Sequence, residues 1–286
     1  GYSLSDMLPK APANITKGSS LKVILDKDAI NCLSQNISTV YPEFQAKAFK
    51  SYCLRGITTF ELLDRGRFLA DALYAFLPKP YSKALSILLD TLTPPLTTTE
   101  GFGLQVFYYL PYSFFVSKYG LDPKFNNGRD PFELSMKAQY EITKRFTSEY
   151  SIRNFLIHQQ KRTLKRLKSW TEDPSPHVRR LCSEGTRPRL PWAIRIPAFI
   201  MDPTPSLSIL EKLKDDPELY VRRSVANHVA HIAKDHPKVA YKICKDWIKS
   251  ASDERKWVIR HALRYPAKKN DLIALSIRKK ASWKAT

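Results

Sequence analysis

Three segments in the second half of the chain share one pattern: DPSPHVRR at 173–180, DPELYVRR at 216–223 and DERKWVIR at 253–260. In each, an Asp stands seven positions before a final Arg, and a Val stands two before it. The final arginines, Arg180, Arg223 and Arg260, are 43 and 37 residues apart. This spacing constrains the fold more than any other feature. A period near forty accommodates two helices and their turns, and such units bury their apolar faces only by stacking on one another. The pattern also assigns local roles. Asp173, Asp216 and Asp253 are expected to cap a helix start, where a carboxylate accepts free N–H groups. The Val packs inward, and the arginines project from the same helix in every unit.

The rest of the chain reads as helix as well. From about Tyr41, PEFQAKAFKSYCLRG places Phe44, Ala48 and Tyr52 on one stripe. FELLDRGRFLADALYAFL continues with Leu63, Phe68, Leu69, Ala72 and Leu73, and PYSKALSILLDTL follows, bounded by prolines. No alternating run bounded by hairpin turns occurs, so the class is all-α. Its architecture is a right-handed α-α superhelix of HEAT-like repeats, a helical solenoid. Residues 1–30, rich in Pro, Ser and small residues, are expected to form a partly irregular arm. Residues 31–286 form the repeat domain.

The chain carries 47 Lys and Arg against 27 Asp and Glu, and the excess is lopsided. Residues 1–143 hold 15 basic and 13 acidic residues, whereas 144–286 hold 32 and 14. A basic half joined to a near-neutral half is the footprint of nucleic-acid binding. An anionic membrane surface is the competing partner, but no basic amphipathic helix with bulky lipid-facing tips is evident. The longest apolar stretch, FGLQVFYYLPYSFFV, is broken and too short to span a bilayer. Four scattered cysteines without a C-x-x-C pair suit reduced thiols in a soluble cytosolic protein. No Gly-rich phosphate loop and no G-x-S-x-G occur, and the six histidines form no metal motif. Neither a metal nor an organic cofactor is therefore expected. On a solenoid, Arg179/Arg180, Arg222/Arg223 and Arg260 would line one face. Asp–Arg ladders between repeats are an alternative use for them, but the large basic excess favours a track for DNA.

What remains for chemistry is carboxylates beside aromatics in a basic field. Glu149 lies in KRFTSEYSIRNFL; its ordinary role would be an ion pair with Arg153 four residues on, or capping after Thr147. Glu184 ends the helix HVRRLCSE before Gly185, an unfavourable place against the helix dipole unless Arg187 or Arg189 compensates it. Trp192 follows Pro191, and core filling is the commoner fate of a Trp.

FTSEYSIRNFL, then W-x-x-D-x-x-x-HVRRLCSEGTRPRLPWA, then DP-x-P-x-x-x-x-LE-x-LKDDPELYVRRSVANHVAHIAKDHP, resembles the AlkC branch of the HEAT-like-repeat alkylpurine DNA glycosylases over roughly residues 40 to 265. The resemblance implies a helical superhelix that cups duplex DNA and excises cationic N-alkylated bases, such as 3-methyladenine, without flipping the lesion into a pocket. It implies that Glu149, Glu184 and Trp192 are lesion-site residues. Arg153, Arg179, Arg180, Arg187, Arg189, Arg222, Arg223 and Arg260, with Asn227, His228 and Lys234, would hold the DNA. One departure stands out. The family pattern has Asn-Asp where this sequence has Ala230-His231, so an acid expected at the lesion site is a histidine. Many members continue into an immunoglobulin-like domain, which is not expected here because the sequence ends at ASWKAT.

The chemistry agrees with that implication. An N3- or N7-alkylated purine is already a cationic leaving group, so little general-acid help is needed. As the glycosidic bond breaks, the deoxyribose gains oxocarbenium character that a nearby carboxylate stabilises. An indole face adds cation–π attraction of about 0.5–2 kcal/mol. The expected protein is a monomeric, monofunctional glycosylase acting on duplex DNA. The alternative is a catalytically weak or inactive repeat protein that binds damaged or branched DNA.

Overall fold

The computed structural model of the chain describes residues 7–9, 11 and 20–282. Much of the expected arm thus lies outside the described residues. Among those described there is no strand, and the all-α expectation holds. The chain divides into two compact units, Gly1–Ile152 and Arg153–Thr286.

The first unit contains α1 (Lys27–Val40), α2 (Ala46–Gly56), α3 (Leu62–Phe76), α4 (Tyr81–Leu89), α5 (Leu110–Tyr119) and α6 (Phe132–Thr143). Short 3-10 turns at Leu21–Leu25, Leu104–Tyr109 and Pro123–Asn126 connect them. The helical stripe expected in α2 is displaced by one position: Phe49 and Cys53 are buried, whereas Ala48 and Tyr52 face solvent. Phe44 is buried too, but it precedes the helix, so it cannot set the helix's register. In α3, Leu69, Ala72 and Leu73 are buried as the periodicity predicts. Helix α3 packs closely on α5, and a Cβ at Gly66 would stand 2.9 Å from Leu110 Cγ and 3.0 Å from Phe114. The core is rich in phenols whose hydroxyls are satisfied internally, as where Tyr109 meets Thr93 Oγ1 at 2.7 Å and Tyr81 meets Ser135 Oγ at 2.8 Å.

Helix α7 (Glu149–His158) contains the boundary between the units. The second unit continues with α8 (Gln160–Trp170), α9 (Pro176–Glu184), α10 (Pro197–Met201), α11 (Leu207–Leu213), α12 (Leu219–Asp235), α13 (Pro237–Trp247), α14 (Asp253–Ala262), α15 (Arg264–Lys268) and α16 (Leu272–Ser282). The repeated segments fall on α9, α12 and α14, which pack side by side in that order; α8 and α11 both pack against α9. These are HEAT-like repeats. Val178, Val221 and Val258 are each fully buried, as the repeat requires, and contribute roughly 1.5–3 kcal/mol apiece.

The repeat acids do not take the expected position. Ser175, Glu218 and Ser252 occupy the N-caps. Asp173 and Asp216 stand two residues earlier and accept the backbone N–H of Ser175 (2.9 Å) and Glu218 (3.0 Å), closing turns before the helix. The prolines that follow them, Pro174 and Pro217, have no N–H to give, so the carboxylates turn to the next donor. Asp253 is already the first helical residue.

Candidate active site

Helix α9 ends at Glu184, and Gly185 caps it with its N–H on Leu181 O at 2.8 Å. Gly185 keeps a right-handed φ of −68°, so the chain leaves the helix without the left-handed stop that glycine often supplies. The loop that follows lacks regular hydrogen bonding, and a single side chain organises it. Arg153, 0% exposed, donates to the carbonyls of Gly185 (3.2 Å), Arg187 (2.6 Å), Pro188 (3.3 Å) and Ile194 (2.5 Å). A guanidinium fork suits this task because it presents five donors in one plane. Arg153 is therefore architectural. Its expected place on the DNA surface is corrected by its burial.

That loop presents Trp192. Ala193 N–H donates to Leu190 O at 3.2 Å, so Leu190–Ala193 forms a tight turn with Pro191 second and Trp192 third. Trp192 has φ +72°, the left-handed value that a type II turn demands and that normally selects Gly or Asn. Its indole is 74% exposed, which rules out core filling. A large aromatic held in a costly backbone conformation and left in solvent marks a contact surface.

Glu184 is only 7% exposed, yet it is ionised. Arg180 Nη2 donates to its Oε2 at 2.9 Å, Arg187 Nη1 lies 3.1 Å from both oxygens, and Ser224 Oγ donates to Oε1 at 2.8 Å. Burial raises the carboxyl pKa, but Arg180, Arg187 and the Ser224 hydroxyl outweigh it and bring it down to about 2. A group that acidic is a poor proton acceptor near neutrality. What it offers a neighbouring group is its charge, since Arg180, Arg187 and Ser224 already occupy both of its oxygens.

Arg187 has a second neighbour. Its Nη2 lies 3.2 Å from His231 Nε2 and 3.3 Å from Nδ1. Burial and then Arg187 lower the His231 imidazole to about 4, so it is neutral at pH 7 and can accept from the guanidinium. The expected lesion-site position thus faces Glu184 through one shared arginine. With His231 neutral, Glu184, Arg180 and Arg187 leave the cluster one net positive charge; an acid at 231 would cancel it. His228, by contrast, is fully buried, donates Nδ1–H to Ser183 O at 2.9 Å, and is lowered to about 3, first by burial and then by Arg187. It cannot reach a DNA surface, which corrects that expectation. His228, His231 and Asp235 do not converge on a metal position, since Asp235 is taken by Arg189 at 2.9 Å.

The repeat arginines divide. Arg179 forms a two-pronged pair with Asp216 of the next repeat at 2.7 and 3.2 Å, and its Nη1 donates to Asp173 O at 3.0 Å. Arg222 makes the equivalent bond to Asp216 O at 2.8 Å. Arg260 donates to Ala281 O at 2.7 Å and fastens α16. Arg179 joins neighbouring repeats through an acid, as the ladder reading has it, whereas Arg222 is bonded within its own repeat and Arg260 to the carbonyl of a later helix. Arg180 lies over the Tyr220 ring at 5.0 Å besides holding Glu184. Arg223 and Lys234 are exposed, as a DNA-facing role requires, and Asn227 is half-buried. Glu149 opens α7 in the first unit, its N–H donating to Thr147 Oγ1 at 3.2 Å, the capping its sequence suggested. Ser224 is a site residue that the sequence reading missed. Its position, one after Arg223, is occupied by leucine at 181 and histidine at 261, so the repeat carries no common signal for it.

No family model matches the chain. YhaZ of Bacillus subtilis (strain 168), described as an uncharacterized protein, is 37% identical over 260 residues, covering 91% of this chain and 68% of YhaZ. The Pseudomonas fluorescens alkylpurine DNA glycosylase AlkC, solved bound to DNA containing an abasic site analog, superposes with a TM-score of 0.79 and 34% identity, over 91% of this chain and 68% of that one. The chain belongs to the AlkC family of alkylpurine DNA glycosylases. A further solved structure, AlkD2 from Streptococcus mutans, gives a TM-score of 0.49 at 20% identity over 76% of this chain. This chain has a buried carboxylate just before, and an exposed indole within, one arginine-pinned loop. It also places a neutral imidazole beside Arg187. No helix among the described residues is long and apolar enough to cross a membrane.

Proposed function

We propose that this protein is a monofunctional DNA glycosylase that hydrolyses the N-glycosidic bond of cationic alkylated bases of the 3-methyladenine type in duplex DNA. The observation that carries the reading is Glu184: a buried carboxylate kept ionised at the helix end from which the Trp192 loop leaves. Such a group suits a reaction whose leaving base is already cationic and needs no proton. Its negative charge stabilises the oxocarbenium sugar. Trp192, exposed and fixed in its turn, offers a π-face to the same cationic sugar, a task that does not require the base to leave the stack. Glu149 is assigned the second carboxylate on the strength of the family resemblance. Arg223, Asn227 and Lys234 approach the phosphates. The protein works as a monomer in the cytosol, without metal or organic cofactor.

His231 favours a second reading. A cluster with one net positive charge repels a cationic base and an oxocarbenium sugar while attracting DNA, which describes a weak enzyme or a pure binder of damaged or branched DNA. Incubation with methylated duplex DNA, with every released base identified by chromatography, separates the two. The glycosylase reading expects release of free 3-methyladenine, reduced by about a hundredfold in Glu184→Gln and in Glu149→Gln. Unchanged release in both variants would defeat the site assignment. His231→Asp is expected to raise the rate by neutralising the cluster. Tight binding with no release, from both the natural chain and His231→Asp, would establish the binder.

A further inference from the structure

The two repeats that bear α12 and α14 continue the geometry of the Glu184 site in a different chemical form. Glu184, Asn227 and Arg264 each stand four residues after a final repeat arginine, and Leu181, Ser224 and His261 each stand one after it. The contact between neighbours also repeats. Glu184 accepts from Ser224 at 2.8 Å, and one unit on Asn227 Oδ1 accepts from His261 Nε2 at 3.0 Å. The same register position therefore runs from carboxylate to amide to guanidinium along three successive repeats.

Charge compensation changes along with it. Arg179, Arg180, Arg187 and Arg189 each face a carboxylate. Arg264 faces none among the described residues: its Nη1 donates to His261 O at 2.7 Å, its Nη2 to Asn227 Oδ1 at 3.1 Å, and its guanidinium lies 4.5 Å from the centre of the exposed Tyr265 ring. Arg223 is exposed and has no carboxylate partner among the described residues. After burial, Arg264 and then Arg223 push the His261 imidazole towards the neutral form. The ring is braced from the other side by Trp257, stacked at 4.9 Å and 9°. The two arginines thus flank Asn227: Arg223 stands one helical turn before it on α12, and Arg264 is bonded to its Oδ1 and fixed in orientation by neutral acceptors. Neutral acceptors aim a guanidinium without cancelling its charge, and the mutual repulsion is relieved when an anion arrives.

We propose that Arg223 and Arg264 form a clamp for a DNA phosphodiester across the two repeats that follow the one bearing Glu184, with Asn227 and His261 as its positioning residues. The proposal rests on the reading of the chain as a DNA glycosylase, and it gives that reading a division of labour. The carboxylate repeat meets the sugar of the lesion, and the amide–guanidinium repeats hold the flanking backbone in register with it.

The test measures binding of a duplex with an abasic-site analog across a salt series. Each phosphate neutralised contributes about −0.9 to the slope of log K against log salt. The double variant Arg223→Gln, Arg264→Gln is expected to flatten that slope by about one and to weaken binding at low salt by about tenfold or more. Asn227→Asp, which retains both arginines but sets a carboxylate against Arg264, is expected to reproduce the loss with the unfolding midpoint unchanged. Lys249→Gln, removing one charge from the exposed turn after α13, should leave the slope unaltered. Slopes equal to the natural protein's in both clamp variants would overturn the clamp, whereas a natural protein that fails to bind duplex DNA at all would instead overturn the glycosylase reading. A last arm offers inorganic phosphate alone. Thermal stabilisation that depends on Arg223 and Arg264, without any change in the DNA salt slope, would assign the pair to a free anion and also overturn the proposal.

Discussion

Arg65 in the first unit and Arg153 in the second each gather backbone carbonyls that no helix satisfies. Arg65 donates to Phe60 O at 2.8 Å, Leu25 O at 3.1 Å and Lys22 O at 3.3 Å, with Asp26 at 3.7 Å. Arg153 serves Gly185, Arg187, Pro188 and Ile194 in the same manner. The logic is common to both: an irregular segment can be buried only if its polar groups find partners, and one planar fork supplies several. What differs is the segment itself. Arg65 ties the approach to α1 to the start of α3, and no non-glycine residue with positive φ lies in either stretch. Arg153 pins a loop that begins next to Glu184 and carries the left-handed Trp192. The first hub closes a core, and the second holds the loop to which the proposed chemistry is assigned.

Replacing each hub by leucine is the most severe way to break this comparison. Either change orphans several buried carbonyls, at roughly 1–3 kcal/mol for each group left unpaired, so both variants should lose about 3–5 kcal/mol in urea unfolding. Base excision, assayed well below the unfolding midpoints, should fail in Arg153→Leu and survive in Arg65→Leu. Equal losses of excision would mean that the second hub has no special tie to the site.

Acid should separate the units next. His228 and His231 titrate near 3 and 4 in the folded protein against an ordinary 6.5, so between those values the unfolded chain binds more protons. Their contribution to stability is complete above about 6.5 and is lost as the pH falls towards 4 and then 3. Glu184, at about 2 against 4.5, adds a contribution that is complete above about 4.5 and lost towards 2. The first unit contains no histidine. Hydrogen exchange corrected for intrinsic rates should therefore show α12 losing protection between pH 7 and 5 while α5 keeps it. Parallel losses in both helices would contradict the assignment of the titrating groups.

The repeat was legible because it depends on positions that any stacked helix pair must fill: an inward Val, and an Asp before the turn. The roles of its arginines were not. Arg179 and Arg223 are both solvent-side arginines in the sequence, and only the position of Asp216 in the neighbouring repeat shows that the first is spent on architecture. Arg153 was misjudged for the same reason: nothing local announces that its partners are carbonyls some forty residues away. Glu184 and Trp192 stood out because each broke a local rule, an acid at a helix C-terminus and a Trp after a turn proline. Ser224 and Arg264 break none, and their significance appears only when successive repeats are superimposed.

The mildest test concerns Trp192 alone. A non-glycine residue in the left-handed region costs roughly 1–2 kcal/mol, and an indole that is 74% exposed recovers little of that by packing. Asparagine tolerates this conformation without the extra chain entropy of glycine. Trp192→Asn is therefore expected to raise stability slightly, by about 0.5–1 kcal/mol in urea unfolding, while excision of 3-methyladenine falls. A site residue that is retained against the stability of its own turn is strained for the sake of contact, and the Arg153 hub is what makes the strain sustainable. Lower stability with excision unchanged would reverse the argument: the indole would then belong to the architecture, and the difference between the two arginine hubs would reduce to the length of the loops they hold.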